Sequence, residues 1–313
     1  MAQHAVPAPF TISGFNSDNE TAKLGLKEVI IDSASQIRDF TPMFYKKNTQ
    51  ANELTFKKKI YAGFPRAASW SHTLENISAA SMQFLWDVDA THAWYGIAGE
   101  MTKEEIQFDP YGINGRIPTE IGKGLGEMKQ VLTAQFFNDA FATTAWEDGV
   151  YFFSASHPYS SSATGDSRGT TQSNLVTGTA SVSVAAEAIN KMINQRDSMG
   201  RPLNIRPRRL VCYPTAVMLW KQVLASAAEY GTANRNESPF KDYGNIEVVG
   251  YDWLDSATKW FLMGDKYDTY FSEPVGIETK VKDTDANGRR IEGWFTIAYW
   301  AERWQGYVGG LGT

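Results

Sequence analysis

Ser154, Ser156 and His157 stand close together in the text GVYFFSASHP, and they are the residues whose types could support nucleophilic chemistry. A hydroxyl nucleophile needs a base within hydrogen-bond reach and a third group that orients the base, and nearness in sequence supplies neither. No G-x-S-x-G turn is present to raise a serine at a strand-to-helix corner. His157 precedes Pro158, which suits the end of a strand. The four histidines are His4, His72, His92 and His157, and no pair has the three-to-five spacing of a metal-binding helix or finger. DTDANG, from Asp283 to Gly288, matches the opening of a calcium loop, but the twelfth position is Trp294 where a bidentate Glu belongs. A solvated hairpin is the better reading. Around Lys123 the glycines invite comparison with a phosphate loop, yet Ile117 stands six positions upstream and Gly124 follows the lysine, so the pattern fails. No cofactor or metal is expected.

With no chemical motif meeting its requirements, bulk properties set the bounds. A chain of 313 residues has ample apolar content for a core. Aromatic residues make up 13% of it and include ten Trp, an area that belongs in a core or against another subunit. A net charge of -5 argues against affinity gained by covering phosphates, so sequence-specific DNA binding is not expected. The single cysteine, Cys212, excludes an intrachain disulfide and sits in an apolar strand pattern that predicts burial. No apolar run is long enough to span a bilayer, and the N-terminus lacks the pattern of a signal peptide, so no membrane partner is expected.

The elements follow from periodicity. Residues 1 to about 22, broken by Pro7 and Pro9, read as an arm. Ala22–Phe40 reads as a short helix before Pro42. From Leu54 to Phe108 the text is rich in β-branched and aromatic residues, with a polar stretch around Phe64–Ala80, which predicts two long strands joined by a tip. Lys57, Lys58 and Lys59 alternate between the faces of the first of these strands. Pro118–Phe141 is the clearest helix, with Ile121, Leu125, Met128, Leu132 and Phe136 on one stripe. Gly122, Gly124 and Gly126 weaken its first turns, so either the helix begins later or another chain approaches closely there. Two more helices are predicted: one after a Ser183 cap, burying Val184, Ala188, Ile189 and Met192 and stopping near Gly200, and one from Pro214 burying Val217, Trp220, Val223, Leu224 and Ala227. Between them runs Leu210-Val211-Cys212 as a buried strand. Strands return after Asn245, with Asn287-Gly288 as a hairpin turn, and the final Gly-Gly-Leu-Gly reads as a frayed or docking tail.

Four features, in order, carry a family likeness: the GVYFFSASHP strand, the SNL at Ser173–Leu175 after a polar loop, the helix ending in DSMGRPLNI, and the RPRRLVCYP strand. Together they resemble the major capsid (head) proteins of tailed double-stranded-DNA bacteriophages, in particular the Mu-like major head subunit group. The likeness is best over 149–265. It implies an α+β tailed-phage major capsid fold with an N-terminal arm (1–53), an extended β-hairpin loop (54–99), a peripheral domain with a long spine helix (100–148), an axial α/β domain (149–265) and return strands of the peripheral domain (266–313).

Such a protein is structural, with no catalytic residues. It self-assembles into hexamers and pentamers of an icosahedral head around double-stranded DNA held without sequence specificity, with portal, scaffold or decoration proteins as further partners. It is built in the bacterial host cytoplasm and ends in the virion. Candidate inter-subunit contacts are Phe64, Arg66, Trp70, Phe84 and Trp86 on the loop, with Arg206, Arg208 and Arg209 flanking the Leu210 strand. Ordinary surface charge accounts for those three arginines equally well. The alternatives are an encapsulin-like nanocompartment shell, which encloses a cargo enzyme, and a soluble hydrolase using Ser154 and His157.

Overall fold

The computed structural model describes residues 20–49, 53–64, 81–82, 84–108, 115–141, 146–158, 171–225, 240, 246–284 and 288–312. In chain order its elements are α1 (Glu20–Ser35), α2 (Thr41–Phe44), β1 (Lys46–Lys47), β2 (Thr55–Tyr61), β3 (Phe84–Thr91), β4 (Ala93–Met101), α3 (Lys103–Gln107) and α4 (Ile117–Asp139). There follow β5 (His157–Pro158), β6 (Thr171–Gln172), β7 (Leu175–Thr177), α5 (Val182–Ile193), β8 (Pro207–Cys212) and α6 (Val217–Ala225). The chain closes with β9 (Glu247–Gly250), β10 (Lys259–Gly264), β11 (Thr269–Asp283), β12 (Arg289–Ala301) and β13 (Tyr307–Leu311). They group into two compact units, one of Met1–Thr55, Thr91–Thr133 and Phe271–Ala298, the other of Phe56–Ala90, Ala134–Tyr270 and Tyr299–Thr313.

The first unit is organised by a sheet in the order β1-β11-β12-β4. β4 pairs antiparallel with β12 from Ala93↔Ile297 to Met101↔Arg289. The predicted stripe on α4 buries Ile121, Leu125 and Leu132, and Ile121 and Leu125 close over Gly293 of β12. The helix begins at Ile117, with Pro118 in its first turn, so its glycines do not delay it. They serve an approach within the chain: Gly122 faces the Ile30 carbonyl and Ser33 hydroxyl of α1, and a Cβ on Gly126 would come 2.8 Å from the Ala34 carbonyl oxygen. Each glycine costs about 1 kcal/mol of helix propensity, offset by backbone-to-backbone packing of α1 on α4. Polar side chains extend that seam, with Gln130 Oε1 accepting from Phe40 N at 3.0 Å and the Thr41 and Thr133 hydroxyls 2.9 Å apart.

The second unit is built on a mixed sheet in the order β7-β13-β10-β8-β9. Antiparallel β10 lies between β13 and β8, while β8 runs parallel to β9 and β13 parallel to β7. The sheet is covered on both faces, which is why β10 reads as the continuous apolar run Trp260-Phe261-Leu262-Met263 with no polar alternation. Trp260 and Leu262 join Leu210, Cys212, Val308 and the buried faces of α5 and α6 in one core. On the other side Phe261 stacks on Phe137 with ring centroids 4.2 Å apart, and Phe153 packs beside them at 6.4 Å.

Several expectations are revised. α5 is capped by Ser181, whose hydroxyl accepts from Val184 N at 3.3 Å, two residues before the predicted cap. It ends at Ile193; Gly200 instead sits in a later turn at φ 74°, where Asp197 Oδ1 accepts from Met199 N and Arg201 N. The C-terminal glycines are no tail. Gly309 and Gly310 lie inside β13, and a Cβ at either would enter the ring of Phe153 or of Trp260 respectively. The aromatic stretch Tyr151–Ser156 is irregular, and only His157–Pro158 forms a strand. The predicted second strand is divided in two: β3 pairs with β2, and β4 joins the four-stranded sheet. The predicted tip (Pro65–Ala79), Ala227 and Asn287 lie outside the described residues.

Candidate assembly surface

β2 and β3 pair with each other in a two-stranded sheet, and their side chains divide the hairpin into a rooted part and an open part. At the root, Ile60, Ala62, Val88 and Ala90 are buried. Lys58 Nζ donates to both carboxylate oxygens of Glu302 at 2.6 and 2.7 Å. Trp86 Nε1 donates to the Glu302 carbonyl at 3.2 Å, its ring meets Trp146 edge-on at 5.1 Å, and Phe56 packs on Trp300 at 5.2 Å. Glu302 is almost wholly buried, so Lys58 both neutralises it and ties the hairpin down.

Away from the root, apolar side chains have little cover from their own chain. Tyr61 is 44% exposed, Phe64 51%, Met82 52% and Phe84 47%. Tyr61 and Phe84 touch only edge-on at 6.0 Å, with Lys59 Nζ 5.9 Å from the Phe84 ring centre. Complete burial of such a side chain is worth about 1.5–3 kcal/mol, so this cluster holds unrealised association energy. Of the sequence candidates, Phe64 and Phe84 therefore stand open, whereas the Trp86 indole is engaged within the chain. Arg66 and Trp70 lie outside the described residues. Arg206 and Arg208 are exposed at the start of β8, and Arg209 Nε donates to Glu247 Oε2 of the neighbouring strand at 2.8 Å.

The residues singled out for catalysis form a packing device. His157 is fully buried against Trp304, ring centroids 4.1 Å apart. Its Nδ1 meets Asp148 Oδ2 at 2.6 Å, and its Nε2 faces the Phe152 carbonyl at 3.2 Å and Asn174 Oδ1 at 3.1 Å. Asn174, also fully buried, accepts from Ser154 N and donates to the Phe152 carbonyl, both at 2.8 Å. Ser154 Oγ accepts from Ser156 N at 3.2 Å. Among the described residues no hydrogen bond joins the Ser154 hydroxyl to His157, so the imidazole is not placed as its base. Asn174 and His157 instead satisfy the backbone of the irregular aromatic segment, which has no strand ladder to do so. Sequence reading missed Asp148 and Asn174 as parts of this cluster; the SNL text held the second without indicating its role. Burial pushes the Cys212 thiol up to about 12, as expected of an inert core cysteine.

A two-sided mixed sheet with two helices, a long helix backed by a second sheet, and a β-hairpin with an open apolar face define the fold of tailed-phage major capsid proteins. Solved structures share it. The chain is similar to a protein of Mycobacterium phage Patience, 8% identical with TM-score 0.59 over 100% of this chain and 95% of that one. It is also similar to the bacteriophage JBD30 capsid, 15% identical with TM-score 0.54 over 71% and 92%. A virus-like particle from Pyrococcus furiosus is 8% identical with TM-score 0.52 over 93% and 99%. No curated protein matches the chain in sequence. A phage capsid protein family profile matches residues 87–309, most of the chain, and the protein belongs to that family. It is a structural major capsid protein.

Proposed function

We propose that this protein, in the manner of the Mu-like major head subunits, assembles with copies of itself into hexamers and pentamers of an icosahedral head that encloses double-stranded DNA without reading its sequence. Portal, scaffold or decoration proteins are its further partners, the bacterial cytoplasm its place of assembly, and it carries out no catalysis. In this reading residues 1–53 are an arm, 54–99 the extended loop, 100–148 the peripheral domain with α4 as spine, 149–265 the axial domain, and 266–313 the returning strands. The observation that carries it is the hairpin: rooted by Lys58 and Trp86, it presents Tyr61, Phe64, Met82 and Phe84 without a core of their own. A neighbouring copy that covers them gains a few kcal/mol per contact, and the many contacts of a shell add cooperatively.

Deletion of Pro65–Ala79 tests this. A folded, assembly-defective subunit is expected, and normal shells from the deletion variant overturn it. The same fold can build a nanocompartment around an enzyme; nuclease-protected DNA in purified particles supports the head, and a co-purifying cargo enzyme supports the compartment.

A further inference from the structure

Beside the hairpin root, the second unit holds a cleft of about 180 Å³ whose polar lining includes Asp197, Arg201, Arg303 and Gln305, with Tyr61 and Trp86 at its edge. Its charges are unevenly matched. The Asp197 carboxylate is already taken up by Met199 N at 2.9 Å, Arg201 N at 2.8 Å and Arg201 Nε at 3.0 Å. Arg303 has no ion pair among the described residues, and Gln305 Oε1 is buried without a hydrogen-bond partner. The cleft thus offers a guanidinium with no ion pair, while the Gln305 side chain is anchored by Nε2 donating to the Arg196 carbonyl at 3.4 Å. Small-molecule pockets start at about 300 Å³, so this one suits one or two protein side chains better than a free ligand.

The same unit carries the opposite imbalance on residues that follow Trp86 and its ring partner Trp146. Asp87 and Asp89 of β3 lie near Glu147 and Asp148, and Glu147 has its carboxyl pushed above the usual range, first by burial and then by the charges of Asp89, Asp87 and Asp148. Lys57 reaches Asp89 at 3.4 Å, and Asp148 is held by His157, but Asp87 and Glu147 form no ion pair among the described residues. Asp87 and Asp89 alternate with Trp86, Val88 and Ala90, so they stand on the other side of the strand from its buried face. Cation and anion are therefore both unmatched within one copy. Complementary charges that form no ion pair within a copy are suited to a head-to-tail contact between copies, and such a contact closes into rings when its rotation closes.

We propose that the Arg201–Arg303 cleft receives the acidic side chains of Asp87 and Glu147 from a second copy of this chain. The contact rests on the self-assembly reading above and adds to it a named pair of charged surfaces. Charge reversal tests it by sedimentation velocity on four samples: wild type, Arg303→Glu, Asp87→Lys/Glu147→Lys, and an equimolar mixture of the two variants. Wild type should associate, each variant should associate at least tenfold more weakly, and the mixture should recover, because each variant's altered patch complements the other's. The mixture should favour even-membered rings, since the two variants must alternate. If near-UV circular dichroism shows that Arg303→Glu fails to fold, Arg303→Gln carries the test, with weaker association expected and unchanged association overturning the contact. Variants that associate like wild type overturn the contact and leave the capsid reading standing. A wild type that remains monomeric at every concentration overturns self-assembly of the chain, and the contact with it.

Discussion

Asn174→Ala should destabilise the subunit by about 3 kcal/mol without touching any surface. The Asn174 carboxamide accepts from Ser154 N and donates to the Phe152 carbonyl, each at 2.8 Å, in a fully buried setting. Two such bonds contribute about 1 kcal/mol each, and a buried N–H left without an acceptor costs about 1–3 kcal/mol more. His157 Nε2, which also meets Asn174 Oδ1 at 3.1 Å, keeps the Phe152 carbonyl at 3.2 Å, so only the Ser154 amide is fully orphaned, which holds the sum near the lower end. A loss of 3 kcal/mol is roughly a 150-fold change in the folding equilibrium. Urea titration of unassembled subunits, followed by tryptophan fluorescence, reads this directly, because association would add its own stabilisation. Asn190→Ala on the exposed face of α5 is the control and should shift stability by less than about 0.5 kcal/mol. An Asn174→Ala shift as small as the control's would refute the claim that this side chain replaces a strand ladder for the aromatic segment.

Two other outcomes follow from burial and charge. Cys212, at about 12 and buried, should resist alkylation by iodoacetamide in the native subunit and react on unfolding; rapid native labelling would contradict its place in the core. Glu147 has a raised folded pKa, so the folded state binds its proton more readily than the unfolded chain and stability falls as pH rises through that value, above the ordinary 4.5. Glu147→Gln should therefore stabilise the unassembled subunit at pH 7 and flatten that slope; a destabilised variant with the slope intact would show that the neighbouring acids do not act on it.

What the sequence disclosed was the repetitive part of the fold. The stripe on α4 reveals itself because its buried positions recur at a helical period, and β8 and β10 do so because they carry continuous apolar runs. Contacts between residues far apart in the chain left no such trace. Gly309 and Gly310 resemble a loose end until Phe153 and Trp260 are seen to occupy the space their side chains would fill. GVYFFSASHP has strand composition, yet its backbone is satisfied by Asn174, about twenty residues on, so composition misjudged its conformation. The glycines of α4 announced a close approach without naming the partner, which is α1 of the same chain. Phe64 and Phe84 were legible as hairpin aromatics in a polar context. Arg303 was not, because it looks ordinary in sequence and stands out only by having no ion pair among the described residues.

Electron microscopy of the chain expressed with the Pro65–Ala79 segment intact and deleted, side by side, bears most directly on the central claim. Closed shells or capsomer rings from the intact chain, and folded subunits without shells from the deletion, are the predicted result. Shells from both, or a folded intact chain that forms neither rings nor shells, would contradict an assembly that depends on the extended loop.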